Sequence, residues 1–587
     1  MKIYFVFKKG EDTGRLFRGE YAEMRHRVKN KVEDLSTKAE EKIDSLGLIA
    51  GGKIENLSSF AEEKIKISRK KIQKPITKLL FSRIVFIALL TVIQLLIWSV
   101  FLGKLGDKYK YFMEAWAVVS VLVIIWIINS WSDPAYKISW ALMVAALPVM
   151  GTFLYLYTHI NLDGKIPFAK LNKAIEETAE YAVTAVPVKD RLKKLEPDFH
   201  KMAHYMENIG KAPTYENTEL KHYALGDHAF ADMCAELEKA QEFIFMEYFI
   251  IEEGLFLDTL LEILERKSKQ GVEVRFMYDD LGSANTVPRK YWQMLQKRGI
   301  NAQTFSKLKL FFSTTYNNRD HRKILVIDGK VAFSGGINIA DEYINEVERF
   351  GHWKDNVFML KGDAVRSYTL MFLQMWNVQA KRRDKKSDFE RYLSAEYERR
   401  PDIENDGFII PYGDGPNKQD NVAENVYLDI ISNANRFVSI MTPYLVPDNE
   451  VLHALKHAAK SGVEVTIIVP HIPDKKSVNI LTKSYYPELL RSGVHIFEYD
   501  PGFIHSKMMV ADGEIAVEGT VNLDYRSLYL HYECGCIIYK NKVIGDIVDD
   551  FEETIALCHE VSMDEFKKYG MLFRWTASLL RIFAPMM

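Results

Sequence analysis

The chain has 587 residues, 48% of them hydrophobic, and its 77 Lys and Arg against 79 Asp and Glu leave a formal net charge of -2. That length exceeds one ordinary domain, and the lack of a basic excess argues against a nucleic-acid partner. Its four cysteines form no CxxC pair, which argues against a zinc or thioredoxin-like site and against a disulfide-stapled secreted domain.

Residues 1–79 read as a charged helical extension. Ala39-Glu40-Glu41-Lys42-Ile43 recurs as Ala61-Glu62-Glu63-Lys64-Ile65, an offset of twenty-two that keeps one apolar stripe on a nearly straight helix. The pattern suits a coiled coil, a helix lying on a membrane surface, or a solvated charged helix. The basic stretch from Lys64 to Lys78 abuts the first apolar run, where it would be attracted to anionic lipid.

Residues 80–158 read as a membrane region. Ile84–Phe101, Ala115–Ile128 and Ile138–Tyr157 are three successive apolar runs, each near the ~20 residues needed to cross a bilayer. Spans are expected near 82–102, 112–130 and 138–157. The first lies too far into the chain for a cleavable signal peptide. Pro148 and Gly151 interrupt the third, which fits a re-entrant segment. The lysines before the first run favour a cytoplasmic N-terminus. Lys104, Lys108 and Lys110 load the next loop, and Lys165, Lys170 and Lys173 follow the third run. Three full crossings do not satisfy all of these, whereas two crossings and one interfacial or re-entrant segment do.

After a linker over 159–215, the chain reads as α/β with an internal duplication. Phe243–Phe249 is a buried-strand run, Leu257 to Lys267 a helix pattern, and Gly271–Met277 a second strand. Phe437–Met441, Glu450 to Lys460 and Gly462–Val469 repeat that order about 190 residues later. The expected fold is two duplicated lobes, over 216–400 and 401–587, with a shared active site at their junction. Cys534 and Cys536, two apart in a strand-like run, share a face as small apolar fillers.

Each lobe carries the same cluster. His321-Arg-Lys323 leads through four residues to Asp328 and then to Gly335-Gly336-Ile337-Asn338. His505-Ser-Lys507 leads equally to Asp512 and Gly519-Thr520-Val521-Asn522. In extended chain, residues two apart point the same way, so each histidine shares a face with its lysine. Each aspartate falls on the opposite parity, better placed to brace than to react. Each asparagine returns an amide after a glycine turn. His321, Lys323, Asp328, His505, Lys507 and Asp512 form the candidate catalytic set, with Asn338 and Asn522 as phosphate-binding support.

Two imidazoles in a cationic cleft suit phosphoryl transfer at a phosphodiester. Lysines and amides neutralise the nonbridging oxygens, one neutral histidine attacks phosphorus, and the other protonates the leaving alcohol and deprotonates the incoming one. The lysines supply the charge a metal would otherwise give, so neither metal nor cofactor is expected. Nucleophilic histidines need orienting carboxylates. Asp355, downstream of the first motif, and Glu533, downstream of the second, are candidates.

These motifs resemble the phospholipase D superfamily, and the surrounding text is similar to bacterial-type cardiolipin synthases. The resemblance is carried by Asp320-His-Arg-Lys-Ile324, Gly335-Gly-Ile-Asn-Ile-Ala-Asp-Glu-Tyr343, Trp353-Lys-Asp355, Thr442-Pro-Tyr-Leu-Val-Pro-Asp448, Gly502-Phe-Ile-His-Ser-Lys507 and Gly519-Thr-Val-Asn-Leu-Asp-Tyr-Arg-Ser527. It extends to Tyr136–Trp140, Leu147–Gly151 and Arg581–Pro585, and covers about 84 to 587. It implies metal-independent phosphatidyl transfer between two phosphatidylglycerol molecules, giving cardiolipin and glycerol, with His321 as nucleophile and His505 as acid and base. It also implies a multi-pass enzyme of the cell membrane with its catalytic lobes on the cytoplasmic side; self-association stays open. The alternatives are a hydrolytic phospholipase D, a transphosphatidylase using another alcohol, a nuclease, and a non-catalytic membrane scaffold. The closing segment Met571–Met587 has the amphipathic look of an interfacial helix or of a helix packed on the protein.

Overall fold

The computed structural model describes residues 106–130, 132–159, 162–306, 317–380, 383–394, 407–418 and 420–586. The extension over 1–79 and the first expected span near 82–102 lie outside them. The second apolar run lies in a helix, Gly106–Ile128. The third does not form one helix. Proline has no amide hydrogen to donate and disfavours helical backbone at the residue before it, so the run breaks at Leu147 into helices Pro134–Ala146 and Pro148–His159. Gly151 lets the two pack closely, since a Cβ there would lie 2.6 Å from the Met143 carbonyl oxygen. At 13 and 12 residues and ~1.5 Å per residue, each is well short of a bilayer's ~30 Å core. Among the described residues no helix is both long and apolar enough to cross a membrane.

The catalytic half of the chain is two sheets. The first holds β1 (Thr218–Tyr223), β2 (Phe243–Tyr248), β3 (Glu273–Asp279), β4 (Asn301–Phe305), β5 (Ile324–Ile327), β6 (Val331–Gly335) and β8 (Val357–Gly362), in the order β1-β8-β6-β5-β2-β3-β4. β7 (His352–Lys354) stands apart from it. The second sheet holds β9 (Phe408–Asp414), β10 (Phe437–Met441), β11 (Glu464–Pro470), β12 (His495–Tyr499), β14 (Met508–Ala511), β15 (Ile515–Gly519), β16 (Glu533–Tyr539) and the edge strand β17 (Cys558–Glu560). Its order is β17-β12-β11-β10-β14-β15-β16-β9. Without β17 the two orders match strand for strand. In each lobe three parallel strands, β2-β3-β4 or β10-β11-β12, are flanked by an antiparallel group. The helices Leu255–Lys269 and Asn449–Lys460 make the crossovers, as strictly parallel neighbours require.

One apolar cluster spans both lobes. Phe245, Val326, Phe358 and Phe372 of the first pack in a cluster with Met508, Val510, Cys534, Cys536 and Ile538 of the second. Cys534 and Cys536 are both fully buried there. Helix Val365–Gln379 is buried along most of its length within the same cluster. Polar ties cross the junction too. His222 Nδ1 lies 2.9 Å from Glu518 and its Nε2 3.2 Å from Asp550, and Lys354 Nζ is 2.8 Å from Asp550. Burial alone would lower the His222 imidazole, but Glu518 and Asp550 together lift it to about 9. It therefore bridges the lobes as a cation at neutral pH.

Candidate active site

Each motif histidine sits one turnless step before a strand. His321-Arg-Lys323 leads into β5 and His505-Ser-Lys507 into β14. The N–H of each motif histidine finds its backbone partner in the other lobe. The His321 N–H donates to the Tyr532 carbonyl at 2.9 Å, and the His505 N–H to the Lys354 carbonyl at 2.6 Å. β13 (Gly502–Ile504) pairs with β7 in parallel, and Asp320 pairs with Tyr532 in the matching place. Each histidine is thus delivered to the edge of the other lobe.

The carboxylates follow the same crossing. His321 Nδ1 lies 2.9 Å from Glu533 Oε2, and His505 Nδ1 lies 2.6 Å from Asp355 Oδ2. Asp355 and Glu533 are fully buried. A carboxylate accepts only, so each Nδ1 carries the proton and each Nε2 keeps a free lone pair. Each histidine takes its carboxylate from downstream of the other motif, a pairing that the sequence left open. Glu533 is held further by the hydroxyls of Thr520 and Ser527. Gly336, the counterpart of Thr520, makes room for Asp355 instead; a Cβ there would lie 1.8 Å from Asp355 Oδ1.

Burial chiefly pushes His321 down to about 3, with Lys323 and His531 adding to it and Glu533 opposing. Burial and then Lys507 push His505 down to about 4, against Asp355. Both imidazoles are therefore neutral at pH 7 in the empty site. Burial also lowers Lys323 to about 8 and Lys507 to about 7. Burial would raise Glu533, but His321 and then His531 hold it below the usual carboxylate range. The Lys323 ammonium acts on His505 and on Lys507, so the cations of both lobes meet in one place. Each lysine Nζ is also anchored to the carbonyl of its own motif histidine.

Asp328 and Asp512 do not join this group, which corrects their inclusion in the catalytic set. Each lies past the far end of its strand, away from the histidine. Asp328 accepts the N–H groups of Gln241, Glu242 and Phe243, each at 2.8 Å. Asp512 accepts those of Asn435, Arg436 and Phe437. They clamp the start of β2 and β10 to the end of β5 and β14, the bracing that their parity suggests.

Asn338 spends both ends of its amide on protein, accepting from Ile250 N–H at 3.0 Å and donating to the Tyr343 hydroxyl at 2.8 Å. Asn522 differs: it is 5% exposed and its Oδ1 is buried without a hydrogen-bond partner.

Sequence reasoning missed His531. Its side chain is 11% exposed, both ring nitrogens are buried without a hydrogen-bond partner, and its ring centroid lies 5.5 Å from that of His321. An unsatisfied buried polar group costs about 1–3 kcal/mol. A single histidine in a strand-like run gives no periodic signal. The one clue was its place, two residues before Glu533. The matching position before Asp355 is Trp353, whose ring lies 5.3 Å from His505. Phe503 and Tyr343 complete an aromatic wall around His505, whereas His321 has an imidazole on one side and Phe249 on another.

His321, His531 and Glu533 bring one ligand atom each within 4.8 Å, as do His471, Asp500 and His559 on the surface and Glu424, Asp448 and Glu450 elsewhere. The first group faces the field of Lys323, which disfavours a cation.

The chain matches the cardiolipin synthase, phospholipase D-like domain family over residues 233–376 and 427–555. Those segments contain both histidines, both lysines, both asparagines and both carboxylates. An uncharacterized protein of Streptococcus mutans serotype c is 42% identical over 79% of this chain and 99% of its own length. A cardiolipin synthase of a Geobacillus species is 36% identical over 77% of this chain and 89% of its own length. One of Geobacillus thermodenitrificans is 34% identical over 83% and 95%.

Proposed function

The chain belongs to the family of cardiolipin synthases with phospholipase D-like domains, and from that premise we propose that it transfers a phosphatidyl group between two phosphatidylglycerol molecules, giving cardiolipin and glycerol. The observation that carries the mechanism is the pair of buried neutral imidazoles, each fixed at Nδ1 by a carboxylate from the opposite lobe.

His321 Nε2 attacks the phosphorus of the first phosphatidylglycerol, forming a P–N bond as the P–O bond to glycerol breaks. His505 gives its proton to the leaving oxygen. It then takes a proton from the headgroup hydroxyl of the second phosphatidylglycerol. That oxygen attacks phosphorus, the P–N bond breaks, and His321 is restored. Lys323 and Lys507 offset the phosphate's charge throughout. The bound phosphodiester also offsets the ammonium charge that, after burial, holds His505 low, so substrate arrival loads the proton that His505 must donate.

The membrane reading rests on exposed apolar faces. Helix Gly106–Ile128 exposes Val118, Leu122 and Ile125, and the closing helix Met571–Phe583 exposes Leu572, Trp575 and Leu579. The Ser139 hydroxyl donates to the Ile582 carbonyl at 2.5 Å, tying the closing helix to Pro134–Ala146. Contiguous apolar surface of this kind suits a lipid interface.

Two measurements test the reading. Purified protein given phosphatidylglycerol labelled in its acyl chains should yield cardiolipin as the main labelled product; phosphatidic acid in its place would make it a hydrolase. The lysines set the pH dependence. A lysine with a depressed value is charged below it and neutral above it, so kcat/KM should fall above about pH 7 as Lys507, and then Lys323 near 8, lose charge. Lys507→Arg should move that limb to higher pH, because guanidinium stays protonated. A profile flat to pH 9 in the unaltered protein would contradict the role given to the ammoniums.

A further inference from the structure

We infer that His531 is a substrate-contacting residue, whose ring N–H donates a hydrogen bond to an oxygen of the lipid headgroup. The inference rests on the phosphodiester-transfer reading above. Three observations carry it. The side chain is about nine-tenths buried and neither ring nitrogen has a partner. It lies beside the first histidine, within 4.8 Å of the ligand atoms of His321 and Glu533. Its nearest carboxylate oxygen, Glu533 Oε1, stands 3.7 Å away, too far for a hydrogen bond, and already accepts from the Ser527 hydroxyl at 2.7 Å. Glu533 is held by His321, Thr520 and Ser527 without a hydrogen bond from His531, and His531 is left with a donor and an acceptor beside the first motif histidine.

The two lobes differ at this position. Trp353 fills the matching place beside His505 with an indole, whose Nε1–H is also buried without a hydrogen-bond partner, so the pseudo-symmetric site has a more polar side, with a donor and an acceptor, and a more aromatic side with a donor alone. A headgroup with one phosphate and two hydroxyls offers oxygens to the polar side. Either a nonbridging phosphate oxygen or a glycerol hydroxyl satisfies an imidazole N–H, and the experiment separates them.

Inorganic phosphate and glycerol phosphate are titrated into the full chain by calorimetry, with His531→Phe and His531→Asn beside the unaltered protein. If His531 holds phosphate, His531→Phe should weaken both ligands about tenfold, and His531→Asn, which keeps a donor, should recover most of that loss. If it holds a hydroxyl, only glycerol phosphate should weaken. Unchanged affinities for both in a folded His531→Phe protein overturn the inference. So does a loss of kcat without any change in affinity or KM, which would mark His531 as a brace for Glu533. Because binding is read without turnover, the result stands apart from whether phosphatidylglycerol is the substrate. Should His531→Phe fail to fold, His531→Leu, which also lacks a donor, replaces it, and full affinity for both ligands in a folded His531→Leu protein overturns the inference equally.

Discussion

His321→Asn and His505→Asn should each lower turnover on phosphatidylglycerol by ~10⁴-fold or more, in line with the loss of one member of a catalytic group that acts as a unit. Asparagine is the better probe than alanine because its amide still offers Glu533 or Asp355 a donor. Removing the partner of a buried carboxylate outright costs ~3–5 kcal/mol of stability and would confuse unfolding with inactivity. The double variant should be little worse than either single one. An ester with an activated leaving group, such as p-nitrophenol, separates the roles, because that alcohol departs without a proton. His505→Asn should then release about one equivalent of p-nitrophenol per protein and stall, holding the phosphatidyl group on His321. His321→Asn should release none. A burst in His321→Asn with none in His505→Asn would reverse the two roles, and no loss of turnover in either would end the mechanism.

Much of this was legible because it is repeated. A strand, helix, glycine, strand order occurring twice, with the same histidine, lysine and asparagine spacing inside it, specifies two similar lobes and a junction between them. That Cys534 and Cys536 share a face followed from strand parity; both faces of that strand are buried. The partner of each histidine was not legible in the same way. Asp355 and Glu533 could be picked out by residue type, but chain order places each beside its own motif. Only the tertiary crossing, made by β7 with β13 and by Asp320 with Tyr532, gives Glu533 to His321 and Asp355 to His505. The break in the third apolar run was legible in Pro148, which lacks the amide a continuous helix needs, whereas hydropathy alone counts side chains and is blind to it. His222 was invisible because its meaning depends on Glu518 and Asp550, some 300 residues later in the chain.

The crossing itself makes the second large prediction. Glu533→Gln and Asp355→Asn keep size and burial but can present an amide donor to Nδ1, favouring the tautomer whose proton sits on Nε2. A histidine in that state cannot attack phosphorus or accept a proton from the incoming alcohol. Each substitution should lower turnover on phosphatidylglycerol by ~10²–10⁴-fold, the upper figure being the cost of such a change in a serine-protease triad. The activated ester again divides the steps. Glu533→Gln should slow the burst, because Glu533 orients the nucleophile, although it lies in the second lobe. Asp355→Asn should leave the burst rapid and slow the turnover that follows, because Asp355 orients the base that activates the incoming alcohol. The opposite pattern, with Asp355→Asn suppressing the burst, is what carboxylates serving their own motifs would give. It would mean that the lobes do not exchange their carboxylates in the working enzyme, and that the site is two half-sites rather than one interlocked centre.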